Sequence, residues 1–363
     1  MNIVLIIAWI LAAVSSFVVL PDAEYLNYID FHTLGLLFCL MAVMAGLSRE
    51  GVFGQAAGSL LALVKNSRQM ELILVFLCFL FSMLITNDVA LITFVPFAIQ
   101  VLEMADMRKS IVPVVAAQTV AANLGSMFTP IGNPQNLYLY SRSEMGLGSF
   151  LKLMLPYILL AAVLLFGLLL VRKSVVTDHL QMKESGKIEQ PRKVMVYGIL
   201  FLICLLCVSH ILPVWLVVLM TIVLVWIVDK GTFKEIDYSL LLTFAGFFIF
   251  IGNMGRIPVF CNFLKGILNG NEVLTAVVSS QVLSNVPAAL LLSGFTEKWE
   301  ALIIGTNLGG LGTMIASMAS LISYRFLVSA YPGEKKRYTV YFTVVNVIFL
   351  VIFLAVVGIS GGL

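Results

Sequence analysis

Charge is scarce in this chain. Its 363 residues include 22 Lys and Arg and 19 Asp and Glu, 11% in all, against 61% hydrophobic residues. A soluble domain is about 25% charged. So few charges cannot cover a water-facing surface, which excludes a soluble globular protein. Disorder requires the opposite balance, low hydrophobicity with high charge. Histidine is scarcer still: His32, His179 and His210 stand apart, in no metal-ligand pattern. The five cysteines (Cys39, Cys78, Cys204, Cys207, Cys261) all lie in apolar runs, and the CxxC spacing of Cys204 and Cys207 has no second ligand pair. No GxxxxGK[ST] segment is present, which excludes an ATP-driven pump within this chain, and no Ser/His/Asp arrangement suggests an enzyme. A net charge of +3, scattered over short loops, is not a nucleic-acid footprint. The apolar start over 2–20 lacks a basic n-region and a small-residue cleavage site, so it reads as a retained first helix.

What is present is hydrophobic length, enough for roughly nine to eleven transmembrane helices at about 20 residues per span. Apolar segments with few charges are 2–20, 31–48, 149–171, 194–211, 213–228, 238–255 and 338–360. Two longer regions, 110–141 and 299–330, are interrupted by Gly, Asn, Pro and Ser. Two more, 70–102 and 272–295, break near the middle at polar residues. A broken helix in a membrane must be buried in protein or line a watery cavity.

The basic residues orient these segments. With a cytoplasmic N-terminus, and with 70–102 and 272–295 as re-entrant hairpins that do not cross, nine helices cross. Segments 52–66 and 257–269 then lie on the surface as amphipathic helices. Arg142, Lys152, Arg256, Lys265 and Lys298 fall outside and the other 17 of the 22 basic residues inside, as the positive-inside rule requires. The only long polar stretch, 172–193, is a cytoplasmic linker. It divides the chain into 1–171 and 194–363, each with one hairpin and one broken helix.

The two halves match. Asp30 and Asp237 each precede a helix that ends in Arg 19 residues later, at Arg49 and Arg256. Thr86-Asn87-Asp88-Val89-Ala90 matches Ser284-Asn285-Val286-Pro287-Ala288. Asn123-Leu124-Gly125 with Thr129 matches Asn307-Leu308-Gly309 with Thr313. An odd number of crossings between Asp30 and Asp237 makes the two halves inverted repeats. Inverted repeats with broken helices are the signature of a secondary transporter, whose site lies near the midplane at the repeat interface.

Each hairpin tip places Ser or Thr beside Asn at membrane depth. The half-helix after a tip directs unpaired N–H groups at the site, which suits an anion or a polarised oxygen. The half-helix before it ends in free carbonyls, which suit Na⁺. Thr129-Pro130-Ile131-Gly132-Asn133-Pro134-Gln135-Asn136 resists helix formation through its two prolines and glycine. The candidate substrate and ion contacts are therefore Thr86, Asn87, Asp88, Asn123, Thr129, Asn133, Asn136, Ser284, Asn285, Asn307 and Thr313. Of these, Thr86, Asn87, Asp88, Asn123, Ser284, Asn285 and Asn307 are candidate Na⁺ ligands. Asp88 is the one ionisable group expected at the core of either hairpin, and an intramembrane carboxylate marks function by default. It can hold Na⁺, carry a coupling proton, or cap the helix that follows it. Glu71, Glu103 and Asp106, at the hairpin ends, are expected to be solvated.

At these motifs the chain resembles the ion-transporter superfamily of arsenite permeases, NhaD-type antiporters, citrate-type symporters and divalent anion/sodium symporters. Thr86-Asn87-Asp88-Val89-Ala90-Leu91 with Pro96 is similar to the first hairpin of the arsenite/NhaD branch. Ser284-Asn285-Val286-Pro287 is similar to the second hairpin, and Gly132-Asn133-Pro134-Gln135-Asn136 to the unwound helix. The divalent-anion branch shows Ser-Asn-Thr at both tips, where this chain has Thr-Asn-Asp and Ser-Asn-Val.

The resemblance implies an all-α polytopic fold with a scaffold and a transport bundle in each half, and an elevator-like movement of the bundle. It implies a permease of the cytoplasmic membrane for a small anion or oxyanion, coupled to Na⁺ or H⁺ and needing no other cofactor. A Na⁺/H⁺ antiporter and an arsenite-type exporter are the alternatives. The expected partners are the bilayer and the substrate, with a homodimer left open.

Overall fold

A computed structural model describes residues 3–61, 64, 66–171, 188 and 190–359. Most of the expected linker, with Lys183 and His179, lies outside the described residues.

Among the described residues the chain forms α-helices and short 3₁₀ turns. The first half comprises α1 (Ile3–Val18), α2 (Tyr25–Tyr28), α3 (Phe31–Arg49), α4 (Val52–Leu61), α5 (Ser67–Phe81), α6 (Asn87–Met104), α7 (Arg108–Gly125), α8 (Pro134–Ser143) and α9 (Leu147–Leu170). The second comprises α10 (Pro191–Val208), α11 (Val214–Val228), α12 (Tyr238–Gly255), α13 (Pro258–Leu268), α14 (Glu272–Leu283), α15 (Asn285–Ser293), α16 (Trp299–Leu308), α17 (Met318–Ala330) and α18 (Lys335–Ile359).

This is an all-α polytopic membrane protein. Among the described residues, seven helical segments are long and apolar enough to cross a membrane: Phe31–Arg49, Asn87–Met104, Arg108–Phe128, Leu147–Leu170, Pro191–Val208, Tyr238–Gly255 and Pro332–Ile359. The apolar helices α1 and α11 are shorter. Leu159, Val163, Leu202, Trp215, Leu219, Val344 and Val351 are exposed on the outer helices, a surface that only lipid solvates well. The expected break within 70–102 falls at 82–86, so its second arm, α6, has 18 residues and reaches spanning length. The expected spans 110–141 and 299–330 are each two helices joined by irregular chain: α7 with α8, and α16 with α17.

The start of each matched helix follows from its cap. Asp30 accepts from the Thr33 N–H at 2.9 Å and from Thr33 Oγ1 at 2.7 Å, which starts α3. Asp237 accepts from the Leu240 N–H at 3.1 Å, which starts α12. An Asp in this position satisfies one of the otherwise orphaned first-turn donors.

The packing divides these elements. α3 lies against α10 and α11, and α1 against α12. α5, α6 and α7 pack together, as do α14, α15 and α16. The second parts of the broken helices cross over: α8 packs on α15 and α16, and α17 packs on α6 and α7. Each half thus completes the other. Two glycines permit close helix approaches. A Cβ on Gly125 would sit 2.0 Å from the Phe79 carbonyl oxygen and 2.4 Å from Ser82 Oγ, and one on Gly309 would sit 2.4 Å from Ser280 Oγ.

α7 is almost wholly buried, unlike the lipid-facing α9, α10 and α18. Ion pairs lie at the ends of the bundle. Arg49 meets Asp229 at 3.2 Å and Glu235 at 2.9 Å, and Arg256 meets Asp22 at 2.7 Å. Glu71, expected to be solvated, is buried. It sits in the first turns of α5, a helix that packs against the buried α7.

Candidate functional site

The hairpin tips rest on the breaks of the two discontinuous helices. The Asn87 N–H donates to the Gly132 carbonyl at 3.1 Å, and the Asn285 N–H donates to the Ala316 carbonyl at 2.9 Å. Beside each contact a threonine braces the same pair of segments. Thr129 Oγ1 donates to the Met83 carbonyl, and Thr313 Oγ1 donates to the Gln281 carbonyl at 3.3 Å. The donors of these bonds are Asn87 and Asn285 in one pair and Thr129 and Thr313 in the other, at matching positions in the two halves of the sequence.

The side chains converge from both halves of the chain. Asn87 Nδ2 donates to Asn123 Oδ1 at 3.2 Å, and the same oxygen accepts from Ser317 Oγ at 2.9 Å. Asn123 Nδ2 reaches the Gly310 carbonyl at 3.4 Å. Asn307 Nδ2 donates to Asn136 Oδ1 at 2.6 Å and to the Ile303 carbonyl at 2.8 Å. Asn133 Nδ2 donates to Ser126 Oγ at 2.5 Å. Ser284 Oγ lies 3.5 Å from both Asn285 Oδ1 and the Ala316 carbonyl. Asn87, Asn123, Asn133, Asn136, Ser284, Asn285 and Asn307 are all buried.

The expected residues do not all take part alike. Asn87, Asn123, Asn136, Asn285 and Asn307 lie at or next to the convergence. Thr129 is half-buried and Thr313 exposed, and both hold the loops. Thr86 precedes α6 without capping it through its side chain. Asp88 is half-buried, and its backbone N–H donates to Asn87 Oδ1 at 2.9 Å. Its carboxylate makes no hydrogen bond or ion pair among the described residues.

Ser126, Ser317 and Gly310 belong to the cluster but are absent from the expected set. Ser317 precedes α17 just as Asn133 precedes α8. That register was visible in the 184-residue offset relating Asn123 to Asn307, but serine in place of asparagine concealed it.

Two further features distinguish the site. Gln135 Nε2 and Oε1, Asn307 Oδ1 and Ser320 Oγ are buried without a hydrogen-bond partner among the described residues. Leaving such an atom unpaired costs about 1–3 kcal/mol. Ser284 has φ +77°, a left-handed backbone that favours glycine. A separate cavity of about 510 Å³ is bounded by residues including Asp30, Tyr138, Arg142, Phe248 and Gly294. At its wall Tyr138 Oη lies 2.9 Å from Ser293 Oγ.

The cluster's donors and acceptors are neutral amides, hydroxyls and backbone carbonyls, with no basic side chain bonded into it among the described residues. Such a set solvates a polar solute stripped of water.

A family model described as "Citrate transporter" matches residues 1–296. The chain belongs to the citrate transporter family. An uncharacterized transporter of Methanocaldococcus jannaschii is 32% identical over 85% of this chain and 84% of its own length. The inner membrane protein YbiR of Escherichia coli is 28% identical over 86% of this chain and 84% of its own length. Silicon efflux transporter LSI3 of Oryza sativa subsp. japonica is 36% identical over a shorter stretch, 39% of this chain and 29% of its own length. This member of the family is accordingly a membrane secondary transporter.

Proposed function

We propose that this citrate-transporter-family member moves a small oxyanion, or the neutral oxyacid it derives from, across the cytoplasmic membrane in exchange with or together with Na⁺ or H⁺. The observation that carries this reading is the buried cluster in which Asn123 Oδ1 accepts from both Asn87 and Ser317, residues of opposite halves. A solute held there would take hydrogen bonds from amides and hydroxyls and would exchange them for the unpartnered atoms of Gln135, Asn307 and Ser320. The names of two relations point the same way: the family's description names citrate and one relative's names silicon.

The paired contacts Asn87–Gly132 and Asn285–Ala316 support reading 1–171 and 194–363 as inverted repeats flanking the linker 172–193. On that reading the N-terminus is cytoplasmic, nine helices cross, and α5–α6 and α14–α15 are re-entrant. The bundle carrying the tips moves as an elevator against α3, α10, α11, α1 and α12.

Asp88 supports a second reading, a Na⁺/H⁺ antiporter in which the cation is the cargo. Its carboxylate adjoins Asn87 at a tip and has no protein cation beside it among the described residues. A carboxylate so placed at membrane depth would alternate between a proton and a metal ion.

A thermal-shift screen of citrate, succinate, sulfate, phosphate and arsenite, each with and without Na⁺, followed by uptake of any stabilising solute into proteoliposomes, tests the first reading. Stabilisation and uptake of one oxyanion or oxyacid is expected. Proton flux driven by a Na⁺ gradient alone, with no solute stabilising the protein, would instead favour the second.

A further inference from the structure

Two cavities at one rim of the bundle meet at Arg337 and Glu334. The smaller, about 190 Å³, is lined by Arg108, Lys109, Ile111, Val112, Tyr331 and these two residues. The larger, about 700 Å³, runs down the outside of α18 along Lys336, Val340, Tyr341 and Val344. The first has three basic side chains, Arg108, Lys109 and Arg337, in its lining, the second is mostly apolar, and the two share Glu334 and Arg337. Val340 and Val344 are 56% and 51% exposed on a helix whose outward face lies in lipid.

The charges around the junction are unequal. Arg108, Lys109, Lys335, Lys336 and Arg337 supply five cations, all exposed. The acids are Glu334, which pairs with Arg337 at 3.3 Å, Glu103, which accepts a hydrogen bond from the Tyr331 hydroxyl, and Asp106. Arg337 also donates to the Lys109 carbonyl at 3.4 Å, which places its guanidinium across the opening between α7 and α18. A basic pocket that shares its rim with an apolar groove on a membrane helix suits the charge and shape of an anionic lipid.

We propose that this junction is a specific site for an anionic phospholipid. The headgroup phosphate lies among Arg108, Lys109, Lys336 and Arg337, and one acyl chain lies along Val340 and Val344. The site would do more than anchor the rim. α7 runs from this pocket to Asn123, and Thr119 of α7 sits 3.3 Å from the Tyr338 hydroxyl of α18. A headgroup held between the two helices would brace the transport helix against α18.

The test uses the full chain purified in neutral detergent, with dioleoyl phosphatidylglycerol, dioleoyl phosphatidylcholine or inorganic phosphate added. Binding is read by native mass spectrometry and stability by thermal shift. Phosphatidylglycerol should be retained and should stabilise the protein, whereas phosphatidylcholine and millimolar phosphate should do neither. The Lys336→Gln/Arg337→Gln variant should bind phosphatidylglycerol roughly tenfold more weakly or worse. Val344→Trp keeps every charge but fills the groove, and it should weaken retention as well. Lys230→Gln, whose ammonium stacks 4.5 Å over Trp226 elsewhere on the molecule, should bind like the parent.

Equal retention of the two lipids would overturn the proposal. So would unchanged binding in Val344→Trp, or an equal loss in Lys230→Gln. If inorganic phosphate alone reproduces the full stabilisation, the site holds a free anion and the lipid assignment is wrong.

Discussion

Asn307 donates through Nδ2 to Asn136 Oδ1 at 2.6 Å and so joins the two broken helices, one from each half of the chain. Asn136 Nδ2 turns the other way, toward the carbonyls of Ser126, Met127 and Thr129 at 3.3–3.5 Å. One buried amide therefore holds its own unwound segment and the opposite helix. Asn136→Ala should destabilise the protein by about 1–3 kcal/mol. In a double-mutant cycle with Asn307→Ala the two losses should fail to add by about 1 kcal/mol. Additive losses would mean that the bond does not couple the halves.

The glycine contacts make a graded prediction. Gly125→Ala drives a methyl into the Phe79 backbone carbonyl, which cannot move without shifting α5. Gly309→Ala meets Ser280 Oγ at 2.4 Å, which a rotamer change relieves, and its remaining contacts, with Ser280 Cβ at 2.7 Å and the Gly305 carbonyl oxygen at 2.9 Å, are longer than the 2.0 Å at Gly125. Overpacking costs about 1–3 kcal/mol, and Gly125→Ala should fall at the upper end, with Gly309→Ala below it. Gly54→Ala has nothing within 4 Å and should be neutral or slightly stabilising. Thermal-shift measurements on the three variants give the order.

The pair at Asp22 and Arg256 predicts a pH dependence outside the membrane segments. The hydrogen bond from Arg256 holds the Asp22 carboxyl below its ordinary value of 3.8. A lowered acid stabilises the fold above the unfolded value and loses that contribution as pH falls through the folded value. The stability difference between the parent and Asp22→Asn should therefore be constant from pH 7 to about pH 4 and vanish below it. Both residues are well exposed, so the difference should be small and should shrink in high salt.

The proposed orientation is tested by single cysteines at Arg142 and Lys230 in a background without the five native cysteines. An impermeant thiol reagent should reach the two positions from opposite sides of the membrane. Labelling of both from one side would contradict the inverted arrangement of the halves.

Much of this architecture was legible in the sequence because polar residues inside apolar runs have few structural explanations in a membrane. Asn87 and Asn285 located the tips, and the helix-averse run from Thr129 to Asn136 located the first break. The exchange of α8 and α17 between the halves was not legible. Hydrophobic pattern says that a face is buried but not which helix buries it. Ser317 escaped notice because a lone serine before a helix is common, and its role depends on Asn123, 194 positions away. Glu71 misled in the opposite sense: a carboxylate near a helix start reads as solvated, whereas here it is enclosed by packed helices.

The central claim is that the amide cluster shared by the two halves binds the transported solute. Asn123→Ala tests it most directly, since Asn123 Oδ1 accepts from Asn87 and Ser317 at once. The measurement is solute uptake into proteoliposomes under a cation gradient, alongside solute-induced thermal stabilisation, for the parent, Asn123→Ala and Gly54→Ala. The account predicts that Asn123→Ala remains folded in detergent but loses both uptake and stabilisation, while Gly54→Ala keeps both. Uptake by folded Asn123→Ala at the parent rate would contradict it.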